Sequence, residues 1–362
     1  MTSKPTPSTR VTRRHLQLLK QLTEVVAVSG NEGPVRQIVR EQVESHNDDL
    51  RIDAMGNLLV TRHGSGRNRI RVMIAAHMDE VGFMIVDVDK DGYLRFDLVG
   101  GLAGQQILGK ALWVGDDRAP GVIGTKPHHM TTPDERKRIP ELETLRIDIG
   151  ADSKEDALKK VKPGEWAAFS TPFLRHGPTI RAKALDDRLG VAALIELITM
   201  PPQGIDLLAA FTVQEEIGLR GARVAAHTLN PDVAIVIDCT PAKDFPTWDG
   251  EENVAYNTRL GAGPAIYVAD RATLGDPRLI RLLVETAEAE GIPYQLRQPG
   301  GGGTDAGAIH LAREGIPSIS VSVPARHLHT AASIANLKDW RNCVQLIHAT
   351  LSRMRPSLLK RT

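Results

Sequence analysis

Apolar positions along the chain fall into two rhythms, one close to 3.6 residues and one of two, and the rhythms are segregated. Leu16, Leu19 and Leu22 predict a helix from about Arg14 to Val28. After SGNEG, the set Val35, Ile38, Val39 and Val43 predicts a second helix, with Pro34 suited to its first turn. NLLVTRH (57–63) and RIRVMIAAH (69–77) are short β-branched runs that predict strands.

From about residue 81 to 180 the texture changes to short alternating runs split by turn residues. In VDVDKDGYLRFDLVGG, Asp91-Gly92 sits between two alternating segments, a hairpin signal. ALWVGDDRAPGVIGT has the same form, and SKEDALKKV predicts one short helix, with Ser153 and Asp156 spaced as a capping box. PHHMTTPDERKR (127–138) reads as an exposed loop. After residue 181 helix and strand alternate: helices at 186–200, 219–229 and 276–291, strands at 205–213, 233–238 and 316–324. Such alternation predicts an α/β fold with a mostly parallel central sheet flanked by helices. The strand at 69–77 belongs to that sheet by texture. The expected organisation is therefore a discontinuous α/β domain, 1–80 and 181–362, with residues 81–180 inserted as a small β-rich domain.

Composition narrows the class. The chain has 362 residues, 41% hydrophobic and 25% charged, with a net charge of +1. Charge this balanced offers no clustered basic face for nucleic acid. No apolar run nears the ~20 residues of a membrane-spanning helix. Cys239 and Cys343 form no disulfide framework and read as buried thiols in a reducing compartment. The N-terminus, MTSKPTPSTRVTRRH, lacks the apolar stretch of a secretory signal and reads as a short disordered arm. A cytoplasmic location is expected.

In α/β sheets ligands gather at the carboxyl ends of strands. RVMIAA ends in His77, followed by Asp79; LLAAFTVQ ends in Glu215 and Glu216; VAIVI ends in Asp238; ISVSVPAR leads to His327 and His329. Asp186 and Asp187 open a helix just after KAL. One histidine after a strand is usually structural, but this many polar residues at one sheet edge form a pattern. Imidazole and carboxylate ligands suit zinc and its first-row neighbours. The set is large enough for two cations sharing one carboxylate, a pair that spans ~3.5–4 Å in two-metal sites and clamps both sides of a displacement. Such cations also explain why Glu215 and Glu216 sit side by side next to apolar residues. One would ligate a metal and the other would stay free to take a proton from water; the bland alternative is a solvated pair opening a helix.

Other readings fall away. GQQILGKA (104–111) nearly matches a phosphate-binding loop, but Ala111 stands where a Ser or Thr is needed and a strand follows. HExxH is absent. A glycosidase needs carboxyls facing each other across a sugar, usually from different elements. His128, His129 and His227 have no convincing partners.

Taken together, AAHMDEVGF (75–83), IDIGADSKEDA (147–157), KALDDRLG (183–190), QEEIGLRGA (214–222), GGGTDA (301–306) and PARHLHT (324–330) resemble the di-metal aminopeptidase family of the tetrahedral (TET) and glutamyl aminopeptidases. The motifs keep the family's order and span nearly the whole chain. The resemblance implies a zinc-exopeptidase-like α/β domain with an inserted β-barrel-like dimerisation domain. It implies His77 and Asp238 on one metal, His329 on the other, Asp186 bridging, Glu216 as a ligand and Glu215 as general base. Asp79 would orient His77, and a cis Asp186–Asp187 peptide is among the implied features. Thr304 and Asp305 would lie near the substrate amine or merely form a turn. Relatives usually carry Tyr and Ser where this chain has His327 and Thr330, so two histidines compete for one role; alignment favours His329, leaving His327 to line the pocket or serve structure. The implied cofactors are two divalent ions per subunit, zinc before cobalt or manganese. The implied partners are peptides and further copies of the chain, as dimers and tetrahedral dodecamers. The runner-up activity is a di-metal deacylase or small-peptide amidase, and the third reading is a metal-binding scaffold with a relict site.

Overall fold

The computed structural model describes residues 7–200, 204–247, 249–251, 253 and 257–360. A mixed sheet runs through the larger part of the molecule. Its centre is parallel: Ile205–Thr212, Ile70–His77, Val233–Pro241 and Ser318–Arg326 lie side by side in that order. The flanks are antiparallel. Asp49–Ile52 and Leu58–Arg62 form a hairpin on one side, and Ser333–Asn336, Thr179–Ala182 and Leu174–His176 extend the other. The mostly parallel expectation thus holds for the centre and not for the flanks, where short turns fold Asp49–Ile52 onto Leu58–Arg62 and Leu174–His176 onto Thr179–Ala182, and each hairpin then pairs antiparallel with a strand far away in the chain.

The central strands are buried on both faces, which is why they read as unbroken apolar runs. Their residues still divide with period two. Val72, Ile74 and Ala76 enter one core with Phe211, Ile235 and Val321, while Met73 and Ala75 enter another with Leu208, Ala210 and Val236. The first core is covered by the helices Arg13–Glu24, Gly33–Val43, Leu185–Thr199, Pro277–Glu290 and Leu337–Arg353. Leu185–Thr199 is buried almost all round, so its sequence has no polar face. The second core is covered by Arg220–Leu229, whose Ala222, Ala225 and Ala226 allow a close approach to the sheet.

The chain between Gly82 and Phe169 closes a six-stranded barrel. Its interior is filled by side chains, with Phe83 edge-on to Phe96 at 5.4 Å and to Phe169 at 5.3 Å. The hairpin turn at Asp89–Tyr93 and the Ser153 cap on Lys154–Lys160 form where the sequence places them. The return to the large sheet comes before residue 180, since Leu174–His176 already pairs there through Thr179–Ala182. Of the N-terminal arm, residues 1–6 lie outside the described residues. The part that is described is tied down, with Arg341 Nε donating to the Ser8 carbonyl at 3.0 Å. Among the described residues no helix is long and apolar enough to cross a membrane.

Sheet and barrel meet at a buried ion network. Glu80 takes Lys183 Nζ at 2.6 and 2.7 Å and Arg188 at 3.4 Å, and its Oε1 accepts from the Ala27 amide at 3.0 Å. All three side chains are buried. Burial pushes the Lys183 amine down to about 8, against the opposing pull of Glu80. Because Lys183 and Arg188 flank Asp186–Asp187, the network fixes that segment against the turn after His77. Removing one partner of a buried pair strands the other charge, at a cost of about 3–5 kcal/mol. Glu80→Gln is expected to lower unfolding stability by about that amount, measured by denaturant titration. A change below about 1 kcal/mol would show that the network does not brace the fold.

Candidate active site

The parallel strands deliver their carboxyl ends to one edge. His77 closes its strand in register with Thr212, and Asp238 lies near the end of the next strand. The Ser318–Arg326 strand leads into the loop carrying His329, and the start of Leu185–Thr199 brings in Asp186 and Asp187. The Asp186–Asp187 peptide is cis. His77, Asp186, Asp238 and His329 border a cavity of about 590 Å³, with Asp187 outside its lining.

Asp186 sits between two imidazoles. Its Oδ1 lies 3.3 Å from His77 Nε2 and its Oδ2 lies 3.6 Å from His329 Nε2. Asp238 Oδ1 is 3.9 Å from His77 Nε2, and Glu216 Oε2 is 3.4 Å from His329 Nε2. Ligand atoms of His77, Asp187 and Asp238 lie within 4.8 Å of one another, as do those of Asp186, Glu216 and His329. The expected residues His77, Asp186, Glu216, Asp238 and His329 therefore converge. Asp187, given a supporting place from sequence, stands in the group with His77 and Asp238.

Each imidazole is oriented from behind. His77 Nδ1 is 3.2 Å from the Asp79 carbonyl, and His329 Nδ1 is 3.0 Å from the Gly101 carbonyl. A carbonyl can only accept, so Nδ1 carries a hydrogen; Nε2 is the atom turned to the cluster, donating to Asp186 when protonated and offering its lone pair where a cation takes the proton's place. Asp79 does further work: its carboxylate accepts from the amides of Glu215 at 3.1 Å and Glu216 at 3.2 Å, and from Ser29 Oγ at 2.6 Å. It thereby sets the turn that follows Ile205–Thr212. Glu215 and Glu216 lie on that turn, where Gln214 is left-handed (φ 56°), rather than on the strand. Strand alternation would send them apart; the turn lets both line one cavity.

The charges are strained without compensation. Burial raises the carboxyls of Asp187, Glu215 and Asp238 well above their ordinary range, and the charge of Asp186 adds to the rise at Asp238. Burial lifts Glu216 to about 7, partly offset by His329. At Asp186 burial would do the same, but hydrogen bonds from His329 and His77 outweigh it and hold the carboxyl low. Those contacts in turn carry His329 up to about 10 despite its burial. Asp187 Oδ2 is buried with no hydrogen-bond partner. Two imidazole nitrogens, several acidic oxygens and an orphaned carboxylate atom fit divalent cations.

Three expected residues stand elsewhere. Thr304 is buried, with its hydroxyl 2.7 Å from Ser320 Oγ, and Asp305 accepts from Thr212 Oγ1 at 2.5 Å. They support the cavity from behind, while Gly301, Gly302 and Gly303 line it. His327 is exposed and packs on Phe245 at 5.3 Å, outside the cavity lining. Sequence reasoning also missed Ser29, Glu80, Lys183 and Gly101, whose roles depend on contacts far apart in the chain; the Gly100-Gly101 pair after a predicted hairpin was the one available signal.

A sequence pattern described as M42 glutamyl aminopeptidase matches residues 56–346. The chain belongs to the M42 glutamyl aminopeptidase family. It is an aminopeptidase hydrolase of a metal-dependent family. It is similar to an aminopeptidase from the archaeon Desulfurococcus kamchatkensis, at 37% identity and TM-score 0.90, covering 96% of this chain and 97% of that one. It is also similar to a TET1 peptidase of Pyrococcus horikoshii, described as able to assemble into a tetrahedron or a large octahedral shell, at 34% identity and TM-score 0.81 over 92% and 98% of the two chains. A lysyl aminopeptidase of Pyrococcus furiosus is 32% identical over 94% of this chain and 97% of its own.

Gly101 offers a test of how the barrel serves the site. A Cβ there would lie 2.9 Å from His329 Nδ1, closer than side chains tolerate. Gly101→Ala is expected to displace the ring and lower kcat/KM on an aminoacyl chromogenic substrate by about 10–100-fold, with little change in the thermal midpoint. Unchanged turnover would mean that the Gly101 carbonyl does not hold His329 in place.

Proposed function

We propose that this protein removes N-terminal residues from peptides, with two divalent cations held on either side of Asp186 and Glu215 as general base. The observation that carries the reading is the placing of Asp186, whose two oxygens face different imidazoles. A carboxylate shared by two cations needs that arrangement. His77 and Asp238 would hold one ion, with Asp187 beside them, and His329 and Glu216 the other. Imidazole–carboxylate sets of this kind suit zinc, with cobalt and manganese as its neighbours in preference. Bound there, the cations supply Lewis-acid polarisation of water and of the scissile carbonyl.

The chain's own residues do the rest. Glu215 lines the cavity but belongs to neither ligand group. Its raised carboxyl suits a base that must give its proton back. It takes the proton of the attacking water and passes it to the departing amine. Asp79 holds the Glu215 amide, so the carboxylate stays aimed at the cavity. The free α-amine of the peptide is seated beside the cluster, which confines cleavage to the first residue.

Similarity to the shell-forming TET1 peptidase supports self-association into dimers and a tetrahedral dodecamer. The barrel is the proposed dimerisation domain, and its exposed Trp113, Val122 and Tyr93 fit that role. Two buried cysteines without a disulfide fit a cytoplasmic location.

Glu215→Gln is expected to keep the wild-type uptake of zinc and lose about 10²–10⁴-fold in kcat on free-amine substrates. Near-normal turnover would remove Glu215 from the base role. Turnover by the wild type of N-blocked but not free-amine substrates would instead favour a deacylase.

A further inference from the structure

One thiol stands at the edge of the carboxylate cluster. Asp238 and Cys239 are neighbours on the strand Val233–Pro241, so their side chains leave on opposite faces. Cys239 enters the first core, at the start of the helix Leu185–Thr199, where its Sγ donates to the Leu185 carbonyl at 3.2 Å. The sulfur thereby reaches the Asp186–Asp187 segment from the sheet. Cys239 Sγ and one carboxylate oxygen from each of Asp186 and Asp187 lie within 4.8 Å of one another. Cys239 is 5% exposed and lines the same cavity as Asp186, which gives an ion a path to it. The other thiol is placed differently. Cys343 is fully buried with its Sγ 3.9 Å from the Val321 carbonyl, and among the described residues it stands in no such group.

A cysteine on a buried strand is by itself an ordinary core residue. Asp187 supplies the second observation. Its side chain is fully buried, Oδ1 accepts from the Gly190 amide at 3.0 Å, and Oδ2 has no hydrogen-bond partner. A buried carboxylate oxygen left unmet is costly unless a cation joins it. Asp187 stands in two groups, one with His77 and Asp238 and one with Asp186 and Cys239. The two differ in softness. Imidazole with carboxylates suits zinc, whereas a softer divalent ion gains most from sulfur.

We infer that Cys239, Asp186 and Asp187 form a seat for a divalent cation softer than zinc, of which cadmium is the type, and that filling it switches the peptidase off. The inference rests on the two-cation reading above, in which Asp186 is the shared carboxylate. Asp186 and Asp187 do not serve a soft ion beside the sulfur and the working pair at once, so the cluster is disabled while the cavity stays open to peptides. On binding, the thiol proton leaves to water and the sulfur exchanges the Leu185 carbonyl for the ion. Ions that prefer oxygen, such as magnesium and manganese, have no use for the seat.

The test adds cadmium to the zinc-loaded protein. A thiolate bound to cadmium gives a charge-transfer band in the ultraviolet, and the chain has two cysteines to account for it. The wild type and Cys343→Ser are expected to show the band, and Cys239→Ser to lack it. X-ray absorption at the cadmium edge should find one sulfur neighbour per chain in the wild type, a result that needs no variant to fold. With an aminoacyl chromogenic substrate, the cadmium concentration for half-inhibition should rise about 10–100-fold in Cys239→Ser, the range typical when support for a bound metal is removed. A cadmium shell of nitrogen and oxygen alone overturns the seat, as does a band that survives Cys239→Ser, or equal half-inhibition of the wild type and that variant. Sulfur-bound cadmium on a protein that cleaves no free-amine substrate would uphold the ligands and sink the peptidase reading, a result distinct from an active enzyme whose cadmium carries no sulfur.

Discussion

Acidic side chains do not gather away from water unless something positive joins them. Asp186, Asp187, Glu215, Glu216 and Asp238 meet at the edge of one sheet, and burial raises most of their carboxyls. Two imidazoles are the nearest basic groups, and both crowd onto Asp186. That is too little positive charge for so many carboxylates. Divalent cations held as proposed would resolve the imbalance, and their need for such a pocket would explain why the chain keeps it.

The surrounding architecture holds this unfavourable cluster in shape. The parallel strands set His77 and Asp238 in register. Glu80 clamps Lys183 and Arg188 and so pins the segment that carries Asp186. Asp79 joins the His77 loop to the Glu215–Glu216 turn through two amides. The barrel contributes as well, since the Gly101 carbonyl orients His329. The left-handed Gly100 (φ 85°) and the bare Cα of Gly101 let this segment approach so closely. The insert is thus part of the site as well as the proposed dimerisation domain.

Much of this was legible in the chain. Buried parallel strands are unbroken apolar runs, so the polar residue that ends each run announces the site, and His77, Asp238 and Glu215 were found in that way. Ser153, Pro34 and Asp91-Gly92 marked local structure because caps and turns depend on neighbours in sequence. What escaped depends on distance. Nothing near Glu80 in sequence reveals that Lys183 will meet it, and nothing near Gly101 reveals His329. The antiparallel flanks escaped because texture does not report which neighbour a short strand will pair with, and so the insert was drawn too long at its end. Thr304 and Asp305 were left between a place near the substrate amine and a simple turn, and their hydrogen bonds to Ser320 and Thr212 hold them behind the glycines.

The central claim is that Asp186 is shared between two cations. A crystal of zinc-soaked protein, with anomalous scattering recorded on both sides of the zinc edge, tests it most directly. The account predicts two edge-dependent peaks per chain, one beside His77 and Asp238 and one beside His329 and Glu216, with Asp186 between them. A single peak, or none in this pocket while the carboxylates remain buried, would contradict it.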